Sequence, residues 1–205
     1  MAKRRVEAEG AEVQGPAEAR KRLLEAAERL FAEKGYAATR VHEITEAAGV
    51  NKALLYYYFE DKRAVYVALV EEGIAALDAM MRETLGAAGS YTERLRGFIR
   101  GHELLIAKRP NLLRMIQRSQ STGEVESSEA LRQQFEAPLL RLVEFFRAGT
   151  AAGEFRELDP MMAALSVFAL NSGLANILSG HDCVFGPEQV ADHCAALLLD
   201  GFRRR

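Results

Sequence analysis

The sequence predicts an all-α fold of nine helices. Apolar residues recur every three or four positions in one segment after another, as in the stripe from Leu23 to Phe31, and this is the spacing of one face of an α-helix. Glycine, proline and short polar residues stand between these segments, where they end one helix and start the next. The alternating apolar and polar residues typical of paired β-strands do not occur. We therefore expect a helical protein without a sheet.

Composition narrows the class of protein. The chain has 205 residues, of which 49% are hydrophobic and 27% are charged, and its formal net charge is −2. Two cysteines, Cys183 and Cys194, are too few for a secreted disulfide framework, and the sequence shows neither a signal peptide nor an apolar run of roughly 18 residues. We expect a cytoplasmic protein with no membrane contact. Because the net charge is close to zero, affinity for nucleic acid requires a local cluster of basic residues.

The amino-terminal segment contains an arm and a first helix. Residues 1–18 mix basic and acidic side chains with glycine and proline and lack apolar periodicity, which predicts a flexible arm. The first helix begins at Ala19 and ends at Lys34, because Gly35 is a typical residue after the last turn of a helix.

Two short helices separated by a tight turn come next. Thr39 is expected to cap a helix that continues to Ala48, and Asn51 is expected to cap a helix of about eight residues, KALLYYYF. Gly49 lies in the turn between them. Two short helices across a glycine-containing turn form a helix-turn-helix.

Six further helices follow residues 60–62. Their predicted positions are a helix of roughly 20 residues ending near Gly86, one from Tyr91 to the residue before Pro110, a short one from Pro110, one from Ser128 to about Ala148, one from Pro160 to about Leu178, and one opening at Pro187. The eighth helix is apolar on nearly every side, so it must be enclosed. Together with the apolar stripe of the ninth helix, it predicts a homodimer formed through the last two helices.

The helix-turn-helix segment resembles the amino-terminal domain of the TetR family of transcriptional regulators. The resemblance rests on TRVHEITEAAGVNKALLYYYFEDKRAVYVAL from Thr39, and GEFRELDP at residues 153–160 is similar to the start of the family's eighth helix. It implies a nine-helix TetR-like architecture with two parts. Residues 19–66 would form a three-helix DNA-binding domain, and residues 67–205 would bind a small ligand and dimerise.

The DNA contacts follow from the way a helix-turn-helix enters the major groove. The first residues of its second helix meet base edges, and neighbouring residues contact phosphates. By this geometry the candidates are His42, Lys52, Ala53, Leu54, Tyr57 and Tyr58. The resemblance implies contacts at His42, Lys52, Ala53, Leu54, Tyr56, Tyr58 and Lys62. Many family members have glycine in place of Ala53 and threonine in place of Leu54, so one phosphate-binding hydroxyl is missing here.

Charge in this part of the chain is nearly balanced. Residues 1–66 contain 12 basic and 11 acidic side chains. Binding to a double-stranded operator therefore requires basic residues on one face, and the expected set is Arg20, Lys21, Arg22, Arg40, Lys52 and Lys62.

Polar residues on apolar helices suggest an effector site in the second part. His102 lies on an apolar stripe and Asn171 in an apolar helix, so each needs a hydrogen-bonding partner, either a ligand or another helix. The candidate ligand-lining residues are Phe98, His102, Met115, Phe135, Phe145, Phe168 and Asn171. We expect a repressor of a palindromic operator that is released by a small molecule, with an apolar or acyl-bearing molecule preferred.

Three alternatives to this hypothesis are considered from the sequence. His181, Cys183, His193 and Cys194 could form a metal- or thiol-redox-responsive site, although their spacing fits no standard zinc pattern. A helical scaffold that binds no DNA is the second. An enzyme is the third and is not expected, because HELLI at His102 and HEITE at His42 lack the second histidine of a zinc protease and no nucleophile elbow or phosphate-binding loop occurs. No cofactor is expected.

Overall fold

The computed structural model describes residues 16–122, 129–179 and 185–202. These parts of the chain contain nine α-helices and no strand, as predicted. In chain order the helices are α1 (Pro16–Lys34), α2 (Val41–Ala47), α3 (Lys52–Tyr58), α4 (Lys62–Leu85), α5 (Tyr91–Lys108), α6 (Pro110–Thr122), α7 (Glu129–Ala151), α8 (Pro160–Ser179) and α9 (Pro187–Phe202).

Helix boundaries follow the caps that the sequence suggested, with two differences. The Asn51 side chain accepts a hydrogen bond from the Leu54 amide at 2.8 Å and so begins α3, as expected. The first helix includes residues 16–18, which the sequence pattern places in the arm. The rest of the predicted arm, residues 1–15, lies outside the described residues.

The prediction that Thr39 caps α2 is wrong by one residue. Arg40 occupies the cap position, and its backbone amide donates to the Glu43 side chain at 2.8 Å. The Thr39 hydroxyl instead donates to the carbonyls of Gly35 at 2.7 Å and Leu30 at 3.3 Å. Thr39 therefore fastens the loop to the end of α1, because its hydroxyl is buried and a backbone carbonyl is the nearest acceptor.

Two clusters of buried apolar side chains organise the helices. The head cluster joins α1, α2, α3 and the first half of α4, and it also receives Leu112 and Met115 from α6. The body cluster joins the second half of α4 to α5, α7, α8 and α9. Helix α4 thus contributes to both clusters, whereas α6 contributes buried side chains to the head cluster.

The eighth helix is enclosed on one side of the single chain only. Ala163, Ala164 and Val167 are buried against the body cluster. Met162 and Ile177, on the other hand, are 62% and 58% exposed. The apolar outer side of α8 is therefore open in one protomer.

None of the helices in the described ranges is long and apolar enough to cross a bilayer.

Candidate functional site

Helix α3 is held by one buried side and presents the other to solvent. Leu55 is completely buried in the head cluster, and Phe59 follows it at the end of the helix. The turn before α3 is closed by Gly49, whose φ of 64° suits a residue without a side chain, and by the Val50 amide, which donates to the Thr45 carbonyl at 3.0 Å. The orientation of α3 is therefore set by packing and by the turn.

The outer side of α3 carries aromatic and basic groups. Tyr57 is 76% and Tyr56 48% exposed, and Lys52 lies 5.6 Å from the centre of the Tyr56 ring. Tyr57 and Tyr58 meet edge to face at 4.9 Å. Adjacent exposed aromatic rings form a contiguous patch, and such patches often mark interaction sites. We call this outer side, together with Arg40 and His42 at the start of α2, the recognition surface. Its members are Arg40, His42, Lys52, Ala53, Tyr56 and Tyr57, with Leu54 and Tyr58 half-buried at its edge.

Lys62 has a structural role that the sequence did not reveal. Its Nζ donates to the carbonyls of Tyr36 at 2.7 Å and Thr39 at 2.8 Å, and it lies 4.2 Å from the centre of the Tyr36 ring. Lys62 thereby joins the start of α4 to the loop after α1. Its contact with a phosphate stays a prediction.

Four of the other predicted basic residues divide into two groups, and the fifth, Arg22, is half-buried on α1. Arg20 pairs with Glu72 at 3.1 Å and Lys21 with Glu25 at 3.8 Å, so both have acidic partners within the protein. Arg40 and Lys52 are exposed on α2 and α3. Within this predicted set, the exposed cations at the two short helices are therefore Arg40 and Lys52.

A second candidate site is a cavity of about 550 Å³ in the body. Helices α4 to α8 line it, and most of its wall is aliphatic. The wall includes Ile74, Leu77, Leu105, Ile106, Leu113, Ile116, Leu139 and Phe168. His102, Gln117 and Ser172 add neutral polar groups, and Arg109 is the one charged side chain among the described lining residues. Such a volume and composition suit a small amphipathic molecule.

The predicted ligand residues are distributed between the wall and the core. His102 and Phe168 line the cavity, and the Asn171 amide lies 3.4 Å from the His102 ring nitrogen. The remaining predicted residues lie elsewhere: Phe98 stacks on the His102 ring, Met115 packs in the head cluster, Phe145 packs in the body cluster, and the Phe135 side chain lies outside the described residues. Phe98, Met115 and Phe145 are thus corrected to core residues, because a Met and Phe stripe fills helix contacts more often than cavities.

Sequence reasoning missed most of the aliphatic wall. Leu105, Ile106, Leu113 and Ile116 fall on ordinary apolar stripes, so nothing in the sequence separates them from core residues. The one available signal was Gln117, a polar residue beside such a stripe.

Burial determines the charge of the polar groups near the cavity. It lowers the pKa of His102 to about 4, so the imidazole is neutral at physiological pH. It raises the pKa of the adjacent Glu103 to about 7. Four described side chains have a buried polar atom without a hydrogen-bonding partner: Arg22 Nε, Glu103 Oε1, Gln117 Oε1 and Asn171 Oδ1. Gln117 lines the cavity, and Asn171 lies beside His102, which also lines it. The amide oxygens of Gln117 and Asn171 could accept hydrogen bonds from a ligand.

The alternative metal or redox site finds no support in the described residues. His181 and Cys183 lie outside them, His193 is exposed, and Cys194 is buried. No group of three possible metal ligands occurs in the described ranges. Burial raises the pKa of the Cys194 thiol to about 11, with a contribution from Glu103, whereas metal binding and redox chemistry need the thiolate.

Comparison with known families decides the identity. Residues 23–69 match the model described as bacterial regulatory proteins, tetR family, and residues 88–202 match the tetracyclin repressor-like C-terminal domain. The chain belongs to the TetR family. This TetR-family protein is a ligand-responsive transcriptional regulator with a helix-turn-helix, and the matched families and relatives are regulators rather than enzymes.

Relatives and solved structures extend the match along the chain. The fatty acid metabolism regulator protein of Bacillus subtilis is 26% identical over 147 residues, which are 71% of this chain and 76% of that protein. The fatty acid degradation regulator FadR from Bacillus halodurans aligns with a TM-score of 0.77 and 25% identity over 95% of this chain and all of the other. AibR, solved with isovaleryl coenzyme A and operator DNA, shares the fold with a TM-score of 0.77 and 24% identity, over 88% of this chain and 98% of AibR.

Proposed function

We propose that this TetR-family regulator is a repressor that binds a palindromic operator as a homodimer and leaves it when an acyl-bearing small molecule occupies the cavity. The observation that carries the DNA-binding part is the exposure of Lys52, Tyr56 and Tyr57 on a helix whose opposite side is buried through Leu55. Lys52 can donate to a guanine edge or a phosphate, and tyrosine hydroxyls can donate to phosphates.

The open side of α8 supports the dimer. Met162, Leu165 and Ile177 on α8 and Leu197 on α9 are large apolar side chains exposed in one protomer. A two-fold contact through α8 and α9 would remove them from water. The same symmetry must place the two α3 helices about 34–36 Å apart to reach successive major grooves of an operator.

The cavity supports the effector. Its aliphatic wall favours a hydrocarbon chain, and neutral polar groups such as Gln117 suit a carbonyl-containing or hydroxyl-containing segment. The names of the fatty acid regulators and the isovaleryl coenzyme A bound to AibR are in line with an acyl-bearing molecule.

Helix α6 provides the connection between the two sites. Leu113, Ile116 and Gln117 line the cavity, while Leu112 and Met115 pack in the head cluster. A ligand that moves α6 therefore also moves the packing of the helix-turn-helix.

Arg118 connects α6 to the end of α1 by hydrogen bonds. Its guanidinium donates to the carbonyls of Lys34 at 3.1 Å and Glu33 at 3.4 Å, at the end of α1. The next residue, Gly35, has a φ of 90°, and a Cβ there would lie 2.9 Å from Arg118 Nε. A shift of α6 would thus be transmitted to the last turn of α1 and to the spacing of the recognition helices.

DNA binding can be tested without a known operator. The full chain is used to enrich duplexes from a random-sequence pool, and the affinity for the enriched duplex is measured by fluorescence anisotropy at two salt concentrations. We expect a palindromic consensus and affinity that falls steeply with salt. Failure to enrich any sequence, or binding that does not depend on salt, would favour the scaffold alternative.

Two variants and a matched control assign the contacts. Lys52→Ala and Tyr57→Ala should each weaken binding by about tenfold, because each removes a contact to DNA from an exposed side chain. Lys108→Ala, an exposed lysine at the end of α5, should leave the affinity within about twofold. Equal losses in Lys52→Ala and Lys108→Ala would mean that only overall charge matters. Titration of acyl-coenzyme A thioesters of increasing chain length into the DNA complex then tests release.

A further inference from the structure

Arg109 stands where the cavity meets the head. It is the residue between α5 and α6, and its side chain lines the cavity on one side. It also lines a cleft of about 820 Å³ between α1, α4 and the start of α6. One cation thus contacts both the effector site and the DNA-binding part of the protein.

The partners of Arg109 come from two helices of the head cluster. Its guanidinium donates to the Glu28 carboxylate of α1 through Nε at 3.1 Å and Nη2 at 2.5 Å, and it lies 3.7 Å from the Glu72 carboxylate of α4. Glu72 also accepts from Arg20. Glu28 and Arg109 are partly withdrawn from water, with side chains 12% and 32% exposed. A two-donor pair of this kind is directional and stronger than an exposed ion pair.

We propose that Arg109 receives the anionic headgroup of the effector and that the headgroup takes the place of the Glu28 carboxylate. This inference rests on the proposed function and deepens it, since it names the ligand as a hydrocarbon chain with an anionic end. The rest of the described cavity wall is uncharged, so Arg109 is where a carboxylate or phosphate entering the cavity is attracted most strongly.

Competition with Glu28 follows from charge. A third anion beside Arg109 would be repelled by both Glu28 and Glu72, so one carboxylate must move away. Glu28 belongs to α1, and its movement frees α1 from the junction of α5 and α6. Because coupling between two ligands is reciprocal, operator DNA that holds α1 in place must equally weaken binding of the anion.

The cleft determines which anionic heads fit. Arg20, Lys21, Arg22 and Arg29 line it together with Arg109, against three carboxylates. A fatty carboxylate would end at Arg109. The phosphates of an acyl-coenzyme A could extend along the basic side of the cleft. The two sources share the anionic end and differ in whether the other four cations take part.

The test uses decanoate, decanoyl-coenzyme A and uncharged 1-decanol, with binding to the full chain measured by calorimetry. We expect decanoate or decanoyl-coenzyme A to bind wild type about tenfold or more tightly than 1-decanol, since a charge-assisted pair is added. A preference for the thioester that is lost in Arg20→Gln and Arg29→Gln identifies the phosphates as the recognised group. Tighter binding of decanoate than of decanoyl-coenzyme A identifies the carboxylate as the recognised group.

Two variants should have opposite effects on the anion. Arg109→Gln should remove the preference for the anion over 1-decanol, while Glu28→Gln should tighten anion binding several-fold because the competitor is gone. Both should reduce the effect of the anion on DNA affinity. Arg147→Gln, an exposed arginine of α7 paired with Glu144, is the matched control and should change neither quantity.

The outcomes separate this inference from the proposed function. Equal binding of anion and alcohol to wild type, or weaker anion binding in Glu28→Gln, overturns the role of Arg109 and leaves an uncharged acyl effector intact. If none of the three molecules binds, both the inference and the effector half of the proposed function fall. Melting curves of Arg109→Gln show whether the variant is folded, and Glu28→Gln keeps the test decisive if it is not.

Discussion

The recognition surface exposes apolar groups to water, whereas the region of the effector cavity buries polar groups away from it. On α3, the apolar rings of Tyr56 and Tyr57 lie outside in water. In the body, Gln117 and Asn171 carry buried oxygen atoms without a partner. Each arrangement costs free energy in the isolated protomer. Both candidate binding sites therefore contain groups that the fold of one protomer leaves without a suitable partner, either an exposed ring or a buried oxygen atom.

The two regions also differ in how they are supported. Helix α3 has its own cap at Asn51 and a fully buried side chain at Leu55, so its orientation is set by local contacts. Side chains from parts of five helices line the cavity, so its wall is packed against the protein on one side only. A surface that reads a duplex benefits from a fixed shape, whereas a cavity that must respond to a ligand benefits from helices that can shift.

Truncating a leucine in each region should give the largest difference. Leu55→Ala should lower the free energy of unfolding by about 2–5 kcal/mol, because it opens a hole in a packed core. Leu105→Ala should cost less than half as much, since that side chain already borders the cavity and has fewer neighbours to lose. Urea unfolding measures both. Equal losses would indicate that the cavity is closed in solution.

The pH dependence of stability should sharpen the contrast within the body. Glu103 is buried, and its pKa is raised to about 7 from 4.5, so the folded protein keeps a proton that unfolding releases between these values. Stability contributed by Glu103 is therefore lost as the pH rises through that window. Glu103→Gln should be more stable than wild type by about 1–3 kcal/mol at pH 8 and by little at pH 4.5.

His102 has to be separated from this effect. Its pKa is lowered to about 4 from 6.5, so the unfolded chain binds a proton between these values and His102 costs stability as the pH falls, whereas Glu103 costs stability as the pH rises. Subtracting the wild-type curve from that of Glu103→Gln removes the contribution of His102. A difference that stays constant from pH 4.5 to 8 would show that Glu103 does not titrate in this range.

The smallest expected effect compares two helix caps. Asn51 caps α3, and Asp61 caps α4 by accepting from the Ala64 amide at 2.7 Å. Asn51→Ala and Asp61→Ala should each lower stability by about 1 kcal/mol, measured by thermal unfolding. Only Asn51→Ala should also weaken operator binding, because the first turn of α3 belongs to the recognition surface. Equal effects on DNA affinity would place the contact surface elsewhere.

Features encoded over a few residues were the ones that could be predicted. The cap at Asn51, the proline that begins α8 at Pro160, the turn at Gly49 and the stripe of α1 depend on neighbours within one or two turns of helix, and the helix order followed from them. Thr39 shows the limit of such local prediction, since its hydroxyl donates to two carbonyls at the end of α1 instead of capping α2. Lys62 shows the same limit, because its acceptors lie in a loop more than twenty residues earlier.

Short-range sequence patterns were thus sufficient to predict the nine helices, the family resemblance and the exposed side of α3. The reason is that helical periodicity and capping act between residues a few positions apart. Packing in three dimensions decided which apolar side chains face a cavity and which fill the core, because both kinds occupy the same positions of a helical stripe. It also decided that Arg109 meets Glu28, which lies 81 residues away in the chain. Such a contact depends on the arrangement of whole helices, which no single stretch of sequence encodes.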